Sequence, residues 1–184
     1  MKVEEVKDKI KVLIEKENLE KRIDELALEI QNDYLNKDIL VICILKGSLF
    51  FTVDLTKRIN NHKLEIDFMR ISSYGDELIS SGNINIIKDL ESDINGRNVL
   101  IVEDIIDSGV TLDYLLKYLK ARKANSVEIV TLLTKPSRRK IDINVKYCGF
   151  EVPDEFLVGY GLDYAEKYRN LPYVGILKEE VYKK

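Results

Sequence analysis

Two spacings of apolar residues organise this chain. Residues 39–45 (ILVICIL) and the run Val99-Leu100-Ile101-Val102 are continuously apolar, as in a strand covered on both faces. Between residues 19 and 34, Leu19, Ile23, Leu26, Ala27, Ile30 and Tyr34 fall on one helical face, with Asn18 placed to cap it. Lys46-Gly47-Ser48 turns the first strand into a helix over roughly 48–60, and a shorter strand follows near 64–69. Residues 70–90 are polar, glycine-containing and hairpin-like. A strand over 98–104, a helix from about 109 to 122 and a strand over 127–133 come next, then the short apolar pieces VKYCGF, FLVGY and YVGIL. Strands alternating with helices predict an α/β domain, with a central parallel sheet flanked by helices.

Composition narrows the class. The chain has 184 residues, 45% hydrophobic and 33% charged, enough for one soluble domain with a full core. Neither an internal repeat nor a low-complexity linker interrupts it. A net charge of −3 and a pI near 5.4 argue against non-specific nucleic-acid binding. The N-terminal stretch has no apolar core of signal-peptide length, and no run approaches the ~20 apolar residues of a membrane helix. The expected setting is therefore the cytoplasm, without a membrane partner. Cys43 and Cys148 sit in apolar runs and are expected to be buried small hydrophobes. With one histidine, His62, they cannot build the usual Cys/His zinc cage, and any histidine-dependent nucleophile would rest on that residue. GYGLDY (159–164) lacks the third glycine of a dinucleotide fingerprint and opens no helix after a first strand.

In parallel sheets, ligands bind beyond the carboxyl ends of the strands. Lys46, the pair Glu103-Asp104, and Lys135 each follow an apolar strand, so they are expected to share one rim. The stretch VLIVEDIIDSGVTL (99–112) concentrates the chemistry. Gly109 lets the backbone approach a ligand. Ser108 and Thr111 add hydroxyls at a helix N-terminus, a setting suited to phosphate. The same loop in isolation would read as a simple cap at Asp107 or Ser108. Acids at the end of a buried strand need a partner, and sugar hydroxyls or a magnesium ion would suit them. The local reading is a ribose phosphate, its hydroxyls held by acids and its phosphate by the loop.

That stretch resembles the phosphoribosyl-diphosphate (PRPP) motif of type I phosphoribosyltransferases. Further stretches, LKGS (45–48), SSYG (72–75), TLLTK (131–135) and FEVPDEFLVGYGLDYAEKYRNLPYVGIL (150–177), resemble the hypoxanthine-guanine phosphoribosyltransferases. The resemblance covers about residues 20–178. It implies a Rossmann-like core over about 36–145, a small hood from about 1–20 and 146–184, and a mobile lid over about 70–90. The implied reaction joins a 6-oxopurine to PRPP, giving IMP or GMP plus pyrophosphate. Glu103 and Asp104 then face the ribose hydroxyls, and the loop Asp107, Ser108, Gly109, Val110 and Thr111 takes the 5′-phosphate. Asp107 also handles the proton at purine N7. Leu45, Lys46, Gly47 and Arg169 match the pyrophosphate site, where the family can carry a cis peptide between the first two. Lys135 matches the donor to purine O6, and Phe156 and Ile105 the contacts on the two purine faces. The backbone of Leu157 matches the reader of the purine edge. Ser73 and Tyr74 match the closing segment. Glu103, Asp104 and Asp163 match ligands of Mg2+. Ser48 and Val110 depart from many relatives, which carry glycine and, in some, lysine there. The family commonly forms dimers or tetramers, so a homo-oligomer is expected. Two alternatives stay open: a preference for another base such as xanthine, and a regulatory protein on the same fold that binds RNA or DNA.

Overall fold

The computed structural model describes residues 8–73 and 84–183. Its strands are β1 (Ile10–Ile14), β2 (Ile39–Leu45), β3 (Leu64–Ser73), β4 (Ile84–Lys88), β5 (Asn98–Ile106), β6 (Ser126–Thr134), β7 (Tyr147–Glu151), β8 (Leu157–Val158) and β9 (Val174–Leu177). Its helices are α1 (Lys16–Asp33), α2 (Leu49–Arg58), α3 (Val110–Ala121) and α4 (Glu179–Tyr182), with a 3-10 turn at Pro136–Arg138.

Six strands form one sheet in the order β4-β3-β2-β5-β6-β7. All neighbours are parallel except β4, which pairs antiparallel with β3 at the edge. The expected parallel sheet thus carries one antiparallel edge strand. β5 lies at its centre, paired through Leu40↔Val99 on one side and Asn98↔Ser126 on the other.

Strand alternation fills two cores. Ile39 and Val41 of β2, with Leu100 and Val102 of β5, face α1 and α2. Leu40, Ile42 and Ile44, with Val99 and Ile101, face α3. Both faces are therefore covered, which explains why these strands read as unbroken apolar runs. A second, antiparallel sheet of order β1-β9-β8 joins the two ends of the chain.

Two local expectations are corrected, and the cap of α3 is settled. Asn18 does not cap α1. The helix begins at Lys16 after an extended Glu15, and the Leu19 amide donates to the Glu15 carbonyl at 3.1 Å. Lys16 and Glu17 are sound helix formers, and Glu17 suits the positive end of the dipole, so the helix extends past Asn18. Cys148 is only half-buried, unlike the buried Cys43, because β7 is an edge strand. The residue capping α3 is Gly109, not Asp107 or Ser108.

Candidate active site

The carboxyl ends of β2, β5 and β6 open on one rim. β2 delivers Leu45, Lys46 and Gly47, and the Leu45–Lys46 peptide is cis. Ser48, at the glycine position of many relatives, is buried and donates its hydroxyl to the Ile44 carbonyl at 2.7 Å, anchoring the start of α2. Gly47 lies against Asp104, and any Cβ there would collide with that carboxylate.

β5 stays fully buried through Val102 and then turns polar. Successive side chains on a strand point to opposite faces. Glu103 therefore continues the Val99–Ile101 side, and Asp104 the Leu100–Val102 side. The Glu103 Oε2 is buried and has no hydrogen-bond partner. Burial, reinforced by the charge of Asp104, holds the Glu103 carboxyl well above the usual range. Burial also pushes Asp104 up to about 6, against the pull of the Ile105 and Asp104 backbone amides and of Arg169. Acids so displaced from their ordinary ionisation suit a ligand that supplies hydroxyls or positive charge.

Past Ile106 the chain turns into α3 through Asp107, Ser108 and Gly109. Gly109 has φ +86°, a left-handed conformation natural to glycine. Ser108 Oγ accepts from the Val110 amide at 3.4 Å, and Val110 and Thr111 open the helix half-buried. Asp107 Oδ1 has no hydrogen-bond partner, although Arg138 Nε stands 3.3 Å away.

The end of β6 presents Lys135, which is 7% exposed. Its ammonium donates to the Glu155 carbonyl at 2.8 Å and lies 3.6 Å from Asp154. Phe156 packs face to face with Tyr182 at 4.8 Å and edge-on to Tyr164 at 5.6 Å.

Asp104, Ile105, Asp107, Lys135, Phe156, Leu157 and Asp163 line one cavity of about 510 Å³. Leu45, Lys46, Gly47 and Arg169, the residues expected to take pyrophosphate, are not part of that lining. Arg169 donates to the Gly161 carbonyl at 2.8 Å and pairs with Asp163 at 2.8 Å, while its Nε is buried and unpartnered. Glu103 and the loop Ser108–Thr111 are not part of the lining. Ser73 ends β3, and Tyr74 lies outside the described residues. Among the described residues no three acids converge into a preformed cage for a cation. Sequence reading missed Arg138, Asp154, Glu166 and Tyr182. Each reads as an ordinary surface residue until the loops are folded together.

A phosphate-ready turn after the central strand, paired acids above it and a cation at the next strand end are the parts of a phosphoribosyl-transfer site. The model of the phosphoribosyl transferase domain matches residues 11–165, and the chain belongs to that family. A curated relative, the hypoxanthine-guanine phosphoribosyltransferase of Bacillus subtilis (strain 168), is 56% identical over 172 residues, 94% of this chain and 95% of that protein. The enzyme of the same name from Streptococcus thermophilus (strain CNRZ 1066) is 50% identical over 178 residues, covering 97% and 98%. A crystal structure of a hypoxanthine phosphoribosyltransferase from Staphylococcus aureus matches with a TM-score of 0.95 and 50% identity, covering 100% of both chains.

Proposed function

We propose that the protein is a purine-salvage enzyme. It transfers the 5-phosphoribosyl group of PRPP to N9 of hypoxanthine or guanine, giving IMP or GMP and pyrophosphate. The observation that carries this reading is the single cavity shared by Asp107, Lys135, Phe156 and Asp163.

The residues divide the work by chemistry. The loop Asp107–Thr111 holds the 5′-phosphate, with Gly109 and the N-terminus of α3 supplying backbone amides. Glu103 and Asp104 hold the ribose hydroxyls and stabilise the positive charge that grows on the ring as pyrophosphate departs. The purine lies between Phe156 and Ile105, its edge against the backbone of Leu157. Lys135 has only donors, so it matches a 6-oxo group and mismatches a 6-amino group. As N9 attacks the sugar carbon, N7 becomes more acidic, and Asp107 accepts or shares its proton. Leu45, Lys46, Gly47 and Arg169 receive the pyrophosphate.

The donors around the site are carboxylates, and Glu103 Oε2 lacks a partner, which suits a hard cation. Magnesium keeps several non-protein oxygens and needs no all-protein cage. Asp163 on one side and Glu103 with Asp104 on the other would hold it. Bound there, it would neutralise phosphate charge.

No helix among the described residues is long and apolar enough to cross a membrane. We place the enzyme in the cytoplasm, where a multiply charged substrate is retained, and assign it no nucleic-acid partner. We also read it as a homodimer or homotetramer. Leu49, Phe50 and Val53 leave an apolar face of α2 about 40% exposed beside the pyrophosphate loop.

A base panel tests the function. The protein is incubated with PRPP, magnesium and, separately, hypoxanthine, guanine, xanthine, adenine and uracil. IMP and GMP as dominant products are expected. Xanthosine monophosphate alone would change the base. No product with any base, despite PRPP binding, would replace the enzyme with a regulator.

A further inference from the structure

Two loops meet at the pyrophosphate end of the rim. Gly161 rests on Gly47 so closely that a Cβ would collide with the Gly47 carbonyl. This contact sets the loop 160–169 against Leu45-Lys46-Gly47. The loop turns with four non-glycine residues in the left-handed region: Tyr160 (φ +48°), Ala165 (+50°), Glu166 (+63°) and Tyr168 (+75°). L-residues adopt that conformation rarely, and it persists where surrounding contacts fix it.

Glu166 is fixed from both ends. Its amide donates to Asp163 Oδ2 at 2.8 Å. Its Oε2 accepts from Lys46 Nζ at 2.8 Å and stands 3.4 Å from an Arg169 terminal nitrogen. One carboxylate oxygen thus joins the two cations assigned above to pyrophosphate, although they lie far apart in sequence. Carboxylate and phosphate oxygens seek the same donors in the same geometry.

We propose that Glu166 is an internal competitor for the diphosphate group. When a diphosphate binds at Lys46 and Arg169, its oxygens exchange with the Glu166 carboxylate, so part of the attraction is spent displacing it. Glu166 is therefore a positioning residue that keeps the two cations together and weakens their hold on diphosphate. The advantage is easier release of pyrophosphate. Glu166 and Lys46 are solvent-exposed and Arg169 is half-buried, so the effect is modest, about five-fold in affinity. This inference rests on the reading of Lys46 and Arg169 as the pyrophosphate site.

The test is calorimetric titration of the full chain with inorganic pyrophosphate in excess magnesium. Glu166→Gln is expected to bind pyrophosphate about five-fold more tightly than the unaltered protein, with the difference shrinking as salt is raised. Glu166→Ala, which removes the carboxylate in a different way, is expected to tighten binding as well. Arg169→Gln is expected to weaken it. Unchanged or weaker binding by both Glu166 variants, with Arg169→Gln still weakened, would overturn the competition and leave the site standing. Unchanged affinity in Arg169→Gln would remove the pyrophosphate assignment itself, and the inference with it.

Discussion

At the amino end of the six-stranded sheet, Asn98 donates to the Asp38 carbonyl at 3.0 Å. Its side-chain oxygen accepts from Asn125 at 2.7 Å and Ser126 at 3.0 Å. At the carboxyl end of the same strand, Glu103 Oε2 and Asp107 Oδ1 are buried with no hydrogen-bond partner, and Arg169 Nε nearby is in the same condition. The amino end also leaves one buried group unpartnered, the hydroxyl of Tyr34, but it is neutral, and burial pushes its pKa up to about 12. The three atoms at the carboxyl end belong to ionisable side chains, whose burial is more costly, although Arg138 stands 3.3 Å from the Asp107 atom, and the Ser72 hydroxyl near the end of β3 is a neutral exception. A fold whose unpartnered atoms are charge-bearing mainly at one end is organised for a ligand at that end.

Substitutions at the two ends should therefore separate activity from stability. The largest effect in this series is expected from Lys135→Ala. It should lower kcat/KM for hypoxanthine by about 100-fold, in line with loss of a buried charged donor, and narrow the discrimination against adenine. Steady-state kinetics with both bases measures it, and unaltered selectivity would detach Lys135 from the O6 role.

Asp104→Asn should show a pH signature in stability. Asp104 ionises near 3.8 in its ordinary setting and at about 6 in the fold. Between those values the folded chain holds more protons than the unfolded one, so this group's contribution to stability falls as pH rises through that window. Neutral asparagine removes the trend. The melting temperature of the variant, relative to the unaltered protein, should rise between about pH 4 and pH 7. A pH-independent difference would contradict the raised carboxyl.

At the amino end the pattern inverts. Asn98→Ala removes three hydrogen bonds and should destabilise the fold by about 1–3 kcal/mol in denaturant unfolding, with kcat unchanged. A change in kcat would show that this end communicates with the site. Tyr34→Phe is the smallest effect, within about 0.5 kcal/mol, because the deleted hydroxyl has no partner to lose.

The same contrast explains what the sequence made legible. β5 and its loop carry fold and chemistry in fourteen consecutive residues, so the strand, the turn, the helix start and the acids were all readable there. The two-sided burial of β2 was readable for the same reason. β1 was not, because IKVLI sits among charged residues and becomes a strand only through pairing with β9, at the far end of the chain. β8 has two residues and no period to detect. The start of α1 was misplaced because Asn18 offered a good cap that tertiary context ignored. Arg138 and Glu166 escaped notice because their relevance depends on which loops fold together. For Glu166 it also depends on a left-handed backbone that no local residue type announces.

The most direct test of the central claim pairs two readings on one variant, Asp107→Asn. Turnover with hypoxanthine and PRPP should fall by about 10²–10⁴-fold, the range of a lost general acid–base group, while the melting temperature stays close to that of the unaltered protein. Unchanged turnover, or a fall matched by a collapse in stability, would contradict the claim that this acid is held for the ligand and not for the fold.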